Sequence, residues 1–373
     1  MIIVHVVEPF AAGVSVFVRS LTESMPDELH IVVHGERKNE ISAEAVKKSF
    51  PKKNVRFIRW RSAQRSINPL KDFMALSELY KILRRLRLKN LVDAVHLHSS
   101  KSGLLGRIAC RMAGIEKFIY TPNGAPFLSG GSSITNFFYQ QIEKFGHRIG
   151  GEVVCCSASE QKVYGKLGVK SVYVNNGISL NSFTTTSFKK TQETFTVITT
   201  GRIENQKNPA LFNEIASYFE EFKQFRFIWA GEGQERSCLK SSNIEITGWV
   251  SSEEIKRLVT QADVYLSTSV FEGLSFGVLE ALAMHKPVLL SECVGNKDVV
   301  KKGLNGDIFT NKTEAIVKIL SYFNNRDMVD VMGQHSQAIC RSEFDMLQNF
   351  LGYKRIYQTK KSASDLDSLQ TAV

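Results

Sequence analysis

Short apolar runs of strand character recur along the chain, each followed by a stretch with helical spacing, and the series runs twice. In the first half the runs are IIVHVV, LHIVVH, NVRFIRW, DAVHLH, KFIYTP and EVVCCS, with helical spacing over Val14 to Met25, Pro69 to Leu88, Gly103 to Ala113 and Ile134 to Ile149. The second half restarts with FTVITTGR, FRFIWAGEG, IEITGWV, ADVYLST, KPVLLSE and GDIF. Strands that are apolar on both faces need helices on both sides, which means parallel sheets. Two series predict an α/β chain of two doubly wound, Rossmann-like domains. A length of 373 residues with 43% hydrophobic side chains suffices for two cores. The polar stretch Asn175 to Thr194 marks the junction. The expected domains are residues 1–178, residues 179–340, and a terminal helix with a polar tail over 341–373. That helix shows apolar spacing at Phe344, Leu347, Phe350, Leu351 and Tyr353, and the tail after Lys361 is expected to fray.

Composition narrows the class. No apolar run is long enough to cross a bilayer, and MIIVHVVEPF lacks the basic start and small-residue cleavage site of a signal peptide, so it reads as a buried first strand. The six cysteines form no CxxC pair and no metal-ligand spacing, which fits reduced thiols in the cytoplasm. The net charge of +11 is lopsided: Met1 to Ile178 holds 26 Lys and Arg against 14 Asp and Glu, and the remainder 22 against 23. A basic half can meet nucleic acid, an anionic membrane face or a polyphosphate substrate, and its densest cluster, Lys81 to Asn90, also reads as a solvated helix face.

In open parallel sheets, ligands bind beyond the carboxyl ends of the strands, so motifs just after strands matter most. GRIENQKNP places Arg202 and Lys207 after the first strand of the second half. Arg can clamp phosphate oxygens in a fork and Lys acts as a point charge, although a surface turn entering a helix would look the same. AGEGQER, with Gly231, and TGWV, with Val250, also follow strands, but each is weak alone. FEGLSFGVLEALAMHKP is stronger: Glu272 and Glu280 stand eight residues apart around a glycine-rich turn. Ser275 is expected to cap a helix from Phe276 to about His285, stopped by Lys286-Pro287. Free amides at Gly273, Leu274 and Ser275 would make a phosphate pocket, with Glu272 beside it and Glu280 a turn into the helix, fit for a ribose diol. The plain alternative is a capping acid followed by an ordinary helix Glu.

These pieces together resemble the retaining glycosyltransferases of family 4, of the type found in bacterial polysaccharide and lipopolysaccharide biosynthesis. FEGLSFGVLEALA is similar to that family's E-x7-E motif, GRIENQKNP to its Gly-Arg…Lys-Asn segment, and NNGIS, GEG, TGWV and VGNKDVVKKGLNGDIF follow in the family's order. HLHSSKSGLLGRIA and YTPNGAPF in the first half match more loosely. The resemblance implies a GT-B fold with an inter-domain cleft and a last helix crossing back to the first domain. It implies that Gly201, Arg202 and Lys207 hold the diphosphate of a nucleotide-sugar donor, with UDP favoured on family grounds. Glu280 would bind the ribose, Glu272 with Gly273 to Ser275 the sugar and phosphate, and Gly13 would approach the diphosphate from the EPFAAGVSVF loop. Catalytic roles fall to Arg202, Lys207 and Glu272. The acceptor would be a glycan, most simply a lipid-linked one, at the inner face of the cytoplasmic membrane, where each Lys or Arg contributes on the order of 1 kcal/mol toward an anionic surface.

Two departures stand out. The family's usual histidine after the Thr-Pro strand end is Asn123 here, which can donate a hydrogen bond but cannot take a proton. Ala11-Ala12-Gly13 stands where two glycines are frequent. His96, His98 and Asn123 are candidates for the sugar side, although a histidine at a buried strand end is more often structural. In the front-face mechanism usually proposed for such enzymes, the leaving phosphate itself takes the acceptor proton. No cofactor and no catalytic metal are expected, since the only Asp-x-Asp is Asp365 to Asp367 in the tail, and Arg202, Lys207 and a helix start can stabilise the charge. Two rival readings are a sugar-nucleotide epimerase on the same fold and a basic nucleic-acid-binding protein. The second has Arg56, Arg59, Trp60 and Arg61 but no recognisable nucleic-acid motif, so nucleic acid is not an expected partner.

Overall fold

A computed structural model describes residues 1–36, 42–64, 67–129, 132–183 and 194–359. The Asp365 to Asp367 match, the tail and the middle of the expected junction lie outside the described residues. The chain divides into two compact units, one of Met1–Phe127, Ser132–Asn176 and Leu347–Val373, the other of Leu128–Gly131 and Gly177–Met346.

The first unit alternates β1 (Ile2–Val7), α1 (Ala12–Ser24), β2 (Leu29–His34), α2 (Ala43–Lys48), β3 (Val55–Arg59), α3 (Pro69–Leu88), β4 (Ala94–His98), α4 (Ser100–Ala113), β5 (Phe118–Thr121), α5 (Ser133–Ile149), β6 (Glu152–Cys155), α6 (Ala158–Lys166) and β7 (Ser171–Tyr173). Its sheet has the order β3-β2-β1-β4-β5-β6-β7, all parallel. β1 and β4, at its centre, are almost wholly buried, which is why their sequences are apolar on both faces. Short elements were not evident from periodicity. β7 has three residues, and α6 starts from a capping pair in which the Ser157 hydroxyl accepts from the Glu160 amide.

The second unit runs β8 (Phe195–Thr200), α7 (Pro209–Tyr218), β9 (Phe225–Ala230), β10 (Ile244–Ile246), α8 (Ser252–Gln261), β11 (Val264–Ser267), α9 (Phe276–Ala283), β12 (Val288–Ser291), β13 (Gly306–Phe309), α10 (Lys312–Asn324) and α11 (Arg326–Glu343). Its strands are parallel in the order β10-β9-β8-β11-β12-β13. Under α7 the core is aromatic: Phe212 meets Trp229 edge-on at 5.0 Å and Phe227 at 5.8 Å. Such pairs add to the burial of their area.

The last helix, α12 (Met346–Gln358), packs within the first unit. Its inward side is Phe350, Tyr353, Ile356 and Tyr357, while Leu347 and Leu351 face water, so the buried stripe is rotated from the expected one. Tyrosine fixes the position: the Tyr357 hydroxyl lies 2.6 Å from Nδ1 of His96 and the Tyr353 hydroxyl 3.3 Å from Oγ1 of Thr121.

Candidate active site

Strand order decides where to look. In the second unit the sheet is built outward in both directions from β8 and β11, so loops leaving these adjacent strands diverge and open a crevice at their carboxyl ends. The loop after β8 carries Gly201, Arg202 and Lys207, and the loop after β11 carries Glu272 to Ser275. The two loops are stitched together by backbone: Val270 donates its amide to Gln206 at 2.8 Å, the Gln206 amide side chain donates to the Phe271 carbonyl, and Thr268 Oγ1 donates to the Lys207 carbonyl at 2.7 Å.

Lys207 is the side chain that crosses between them. Its ammonium lies 2.7 Å from Oε1 of Glu272 and 3.5 Å from Oγ of Ser275. Glu272 is buried, and the same oxygen accepts from the Ser269 hydroxyl at 2.7 Å. Burial pulls the Lys207 ammonium down, but the Glu272 carboxylate outweighs it, with further help from Tyr265, and the net shift is upward. Lys207 is therefore a fixed cation at any physiological pH. Arg202 leaves the same loop and pairs with Glu204 at 3.1 Å.

Ser275 precedes α9 but makes no capping hydrogen bond, contrary to expectation, because its hydroxyl is turned to Lys207. The first amides of α9 thus lack a side-chain cap, which leaves the positive end of the helix beside a lysine. The helix also ends at Ala283, earlier than expected. His285 adopts φ 58°, and Lys286 is buried, donating to the carbonyls of Thr260 and Ala262.

Close packing at this corner depends on glycines. A Cβ on Gly277 would fall 2.4 Å from Thr200 Oγ1 and 2.7 Å from the Tyr265 hydroxyl, so only glycine lets α9 rest against β8 and β11. One on Gly295 would fall 2.8 Å from Glu272 Cβ. Gly231 and Gly233 bring the loop after β9 onto the carbonyls of Gly201 and Ile203, where a Cβ would come within 2.0 and 2.3 Å. The TGWV turn comes alongside: Thr247 donates to the Trp229 carbonyl, Gly248 faces Glu232, and Val250 is half-buried two residues on. Glu280, half-buried in α9, belongs to the same neighbourhood. Burial raises the Tyr265 phenol, Lys207 pulls it down and Glu280 pushes it up, so one ring feels both groups. Tyr265, Ser269, Gly277 and Gly295 were not singled out in the sequence. Of these, Gly277, inside the GLSFG turn, and Gly295, in the VGNKDVVKKGLNGDIF segment, lay within stretches that carried a signal.

The other candidates lie in the first unit. Gly13 is exposed in the first turn of α1, beyond β1 at that unit's own divergence point, and Ala12 before it takes φ 48°, a conformation glycine adopts without strain. Asn123, at φ 57°, donates to the Thr121 carbonyl and accepts from Cys156. His98 is fully buried, as is His96, and burial holds its ring at about 3. Among the described residues, one group could gather a metal ion: His5, His96 and His98, with ligand atoms within 4.8 Å of one another. Every ring nitrogen of the three except Nδ1 of His98 is already spent on a protein hydrogen bond, His5 to His98 and His30, His96 to Tyr357 and Thr121. The cluster reads as a chain of neutral rings tying β1, β2, β4 and α12 together.

Two family models match the chain, Glycosyltransferase Family 4 over residues 11–182 and Glycosyl transferases group 1 over residues 194–325. The chain belongs to the family 4 glycosyltransferases. This glycosyltransferase is 26% identical over 325 residues to the UDP-Gal:alpha-D-GlcNAc-diphosphoundecaprenol alpha-1,3-galactosyltransferase of Escherichia coli, spanning 79% of this chain and 81% of that one. Its fold is GT-B. It superposes with a TM-score of 0.77 on sucrose-phosphate synthase from Thermosynechococcus elongatus, 15% identical, covering 95% and 98% of the two chains. With HepE of Anabaena, solved in complex with UDP and glucose, the TM-score is 0.75 at 16% identity, covering 95% and 99%.

Proposed function

We propose that this glycosyltransferase moves a hexose from UDP to a lipid-linked glycan at an anionic membrane face, with retention of anomeric configuration and without a catalytic metal. One observation carries the donor assignment: at the divergence of β8 and β11, the Lys207 ammonium lies between Glu272 and the uncapped start of α9. A cation beside a helix N-terminus suits a diphosphate, and such groups act most strongly on charge that develops as the nucleotide leaves. In this reading Lys207 and Arg202 hold the diphosphate with the backbone at Gly201 and Gly231, Val250 meets the base, Glu280 takes the ribose, and Glu272 with Gly273 to Ser275 takes the sugar. A UDP-sugar donor and a diphosphoundecaprenol-linked acceptor are favoured by the galactosyltransferase relative named above, which acts on UDP-Gal and alpha-D-GlcNAc-diphosphoundecaprenol.

The test is a thermal-shift screen of nucleotide sugars, followed by transfer to a short-chain lipid diphosphosugar with and without a chelator. A ligand at 100 times its dissociation constant stabilises by about 2.7 kcal/mol, ample to detect. Lys207→Ala should slow transfer by roughly 100-fold, the scale of one lost charge-stabilising contact. Turnover of the donor to an epimer without acceptor would replace the transfer reading with an epimerase. A product of inverted anomeric configuration, or transfer abolished by chelator and restored by a divalent cation, would remove the retaining or metal-free parts. No response to any nucleotide sugar would end the proposal.

A further inference from the structure

Two helices of the first unit, α3 and α5, turn apolar faces to water. On α5, Ile134, Phe137, Phe138 and Phe145 are 81%, 61%, 52% and 54% exposed. At 3.6 residues per turn they lie on one side of the helix, opposite the buried Glu143. On α3, Leu70, Phe73, Met74 and Leu88 are 62% to 81% exposed, opposite the buried Ala75, Leu79, Leu83 and Leu86. α4 packs against both, so the two stripes flank it on one face of the sheet. As crossover helices of a parallel sheet, α3 and α5 run the same way. The first turns of each, with Leu70, Phe73, Met74, Ile134, Phe137 and Phe138, therefore stand at the carboxyl edge of the strands, where ligands of such sheets bind.

The charges on this face have one sign. α3, α4 and α5 contain three acids in all, and each is engaged by a partner within the protein. Asp72 pairs with Lys101 at 2.7 Å, Glu78 accepts from the Arg61 and Ser62 amides, and Glu143 accepts from the buried Tyr120 hydroxyl at 2.9 Å. The cations point out: Lys81, Arg84 and Arg85 are exposed on the same side of α3 as Leu70 and Met74, and Arg148 on the same side of α5 as Phe138. An apolar stripe continuing into a basic one, with each acid already paired within the protein, is the pattern of a surface that lies in a lipid interface.

The geometry points to the outward face of α3 and α5 as a docking surface for an anionic phospholipid bilayer, with the aromatic ends entering the interface and the arginines meeting the headgroups. This rests on the membrane-face reading above and gives it a location. It differs from simple charge attraction in one respect: binding keeps an apolar part that salt does not remove.

Co-sedimentation with phosphatidylglycerol-containing vesicles and with pure phosphatidylcholine vesicles tests it, in low and high salt. Wild type should bind the anionic vesicles and retain part of that binding in high salt. Phe137→Glu with Phe138→Glu should weaken binding by about tenfold or more, the scale of one lost buried Phe. Arg84→Glu with Arg85→Glu should weaken it chiefly in low salt. In a separate variant, Phe138→Trp, emission should shift to the blue on anionic vesicles. All these side chains are exposed, so unchanged unfolding midpoints should accompany the losses. Sugar transfer to a water-soluble, short-chain acceptor should stay at the wild-type rate in every variant. Soluble transfer without vesicle binding would overturn the docking surface and leave the transfer reading intact; vesicle binding without any nucleotide-sugar response would do the reverse. Wild-type vesicle binding by the Phe pair would overturn the proposal. So would a solution dimer that the Phe pair dissociates while lipid binding stays unchanged, since the face would then belong to a second copy.

Discussion

Gly277→Ala puts the packing of the donor corner to a quantitative test. The added methyl would meet Thr200 Oγ1 at 2.4 Å and the Tyr265 hydroxyl at 2.7 Å. Neither can step aside cheaply: the two are hydrogen-bonded to each other at 3.0 Å, and Tyr265 is a buried ring on β11. Overpacking of this kind costs about 1–3 kcal/mol. Against it stands helix propensity, since Ala in place of Gly inside a helix gains up to about 1 kcal/mol. The net should be a loss of about 1 kcal/mol, with the start of α9 pushed off β8. Gly165 in α6 supplies the matched control, because nothing lies within 4 Å of its added methyl. Gly165→Ala should therefore be stabilising. Urea unfolding of the two variants gives the energies, and UDP titration the consequence: Gly277→Ala should bind at least about tenfold more weakly, equivalent to 1.4 kcal/mol, while Gly165→Ala binds as wild type. If both substitutions stabilise equally and UDP affinity holds, α9 does not rest where its glycine places it.

Acid should loosen the first unit through its histidines. Burial lowers His5 and His96 well below the ordinary range, His30 to about 4 and His98 to about 3. The unfolded chain, titrating near 6.5, then takes up the extra protons, so stability present above that pH is lost as pH falls, by about 2 kcal/mol per ring at about pH 5. Urea midpoints that stay level from about pH 8 to about pH 5 would refute it. Glu272→Gln removes the carboxylate from a lysine that is only one-fifth exposed, so the free protein should lose about 1–3 kcal/mol, the cost of leaving such a group without its partner. UDP should then raise its melting temperature more than it raises that of the wild type, because the diphosphate supplies the missing charge; an equal or smaller rise would count against the shared site. Ala12→Gly relieves a left-handed alanine and should stabilise by up to about 1 kcal/mol in the same urea assay, where a loss would contradict the φ of 48°.

How far the fold was legible follows from what each element buries. Strands such as β1 and β4 are buried on both faces, so an unbroken apolar run betrays them. β7 lies at the sheet edge with three half-exposed or exposed residues, and nothing in Ser-Val-Tyr separates it from a loop. For the candidate site, strand order alone brings Lys207 and Glu272 near each other, because their loops leave adjacent strands. What a sequence cannot reveal is a side chain's choice between two good partners. Ser275 had the residue type of a cap, yet turns to Lys207; His98 sits at a strand end where a ligand-side and a structural role both fit the sequence, and its neighbours in space are His5 and His96. The rotation of the α12 stripe has the same origin: Leu347 and Tyr357 are both apolar in pattern, but only the tyrosine finds His96.

In the proposed donor site the lysine, rather than the carboxylate, is the member with room to move. Glu272 is pinned three ways, by its amide on the Val294 carbonyl, by the Ser269 hydroxyl on its carboxylate, and by Gly295 against its Cβ. Lys207 has a four-carbon stem, and its Cε passes 3.4 Å from where a side chain on Gly201 would begin. Glycine at 201 leaves the stem room to move while Glu272 stays put, and in the proposed reading that motion follows the diphosphate. Lys207→Arg therefore separates charge from motion. A guanidinium can keep the ion pair with Glu272 and hence the stability of the free protein, but its planar fork cannot track a point between Glu272 and Ser275 as a compact ammonium does. The variant should unfold at the wild-type urea midpoint and still lose most of its transfer rate. Wild-type transfer by the arginine would mean that positive charge alone is needed there and that the stem's freedom has no part in it.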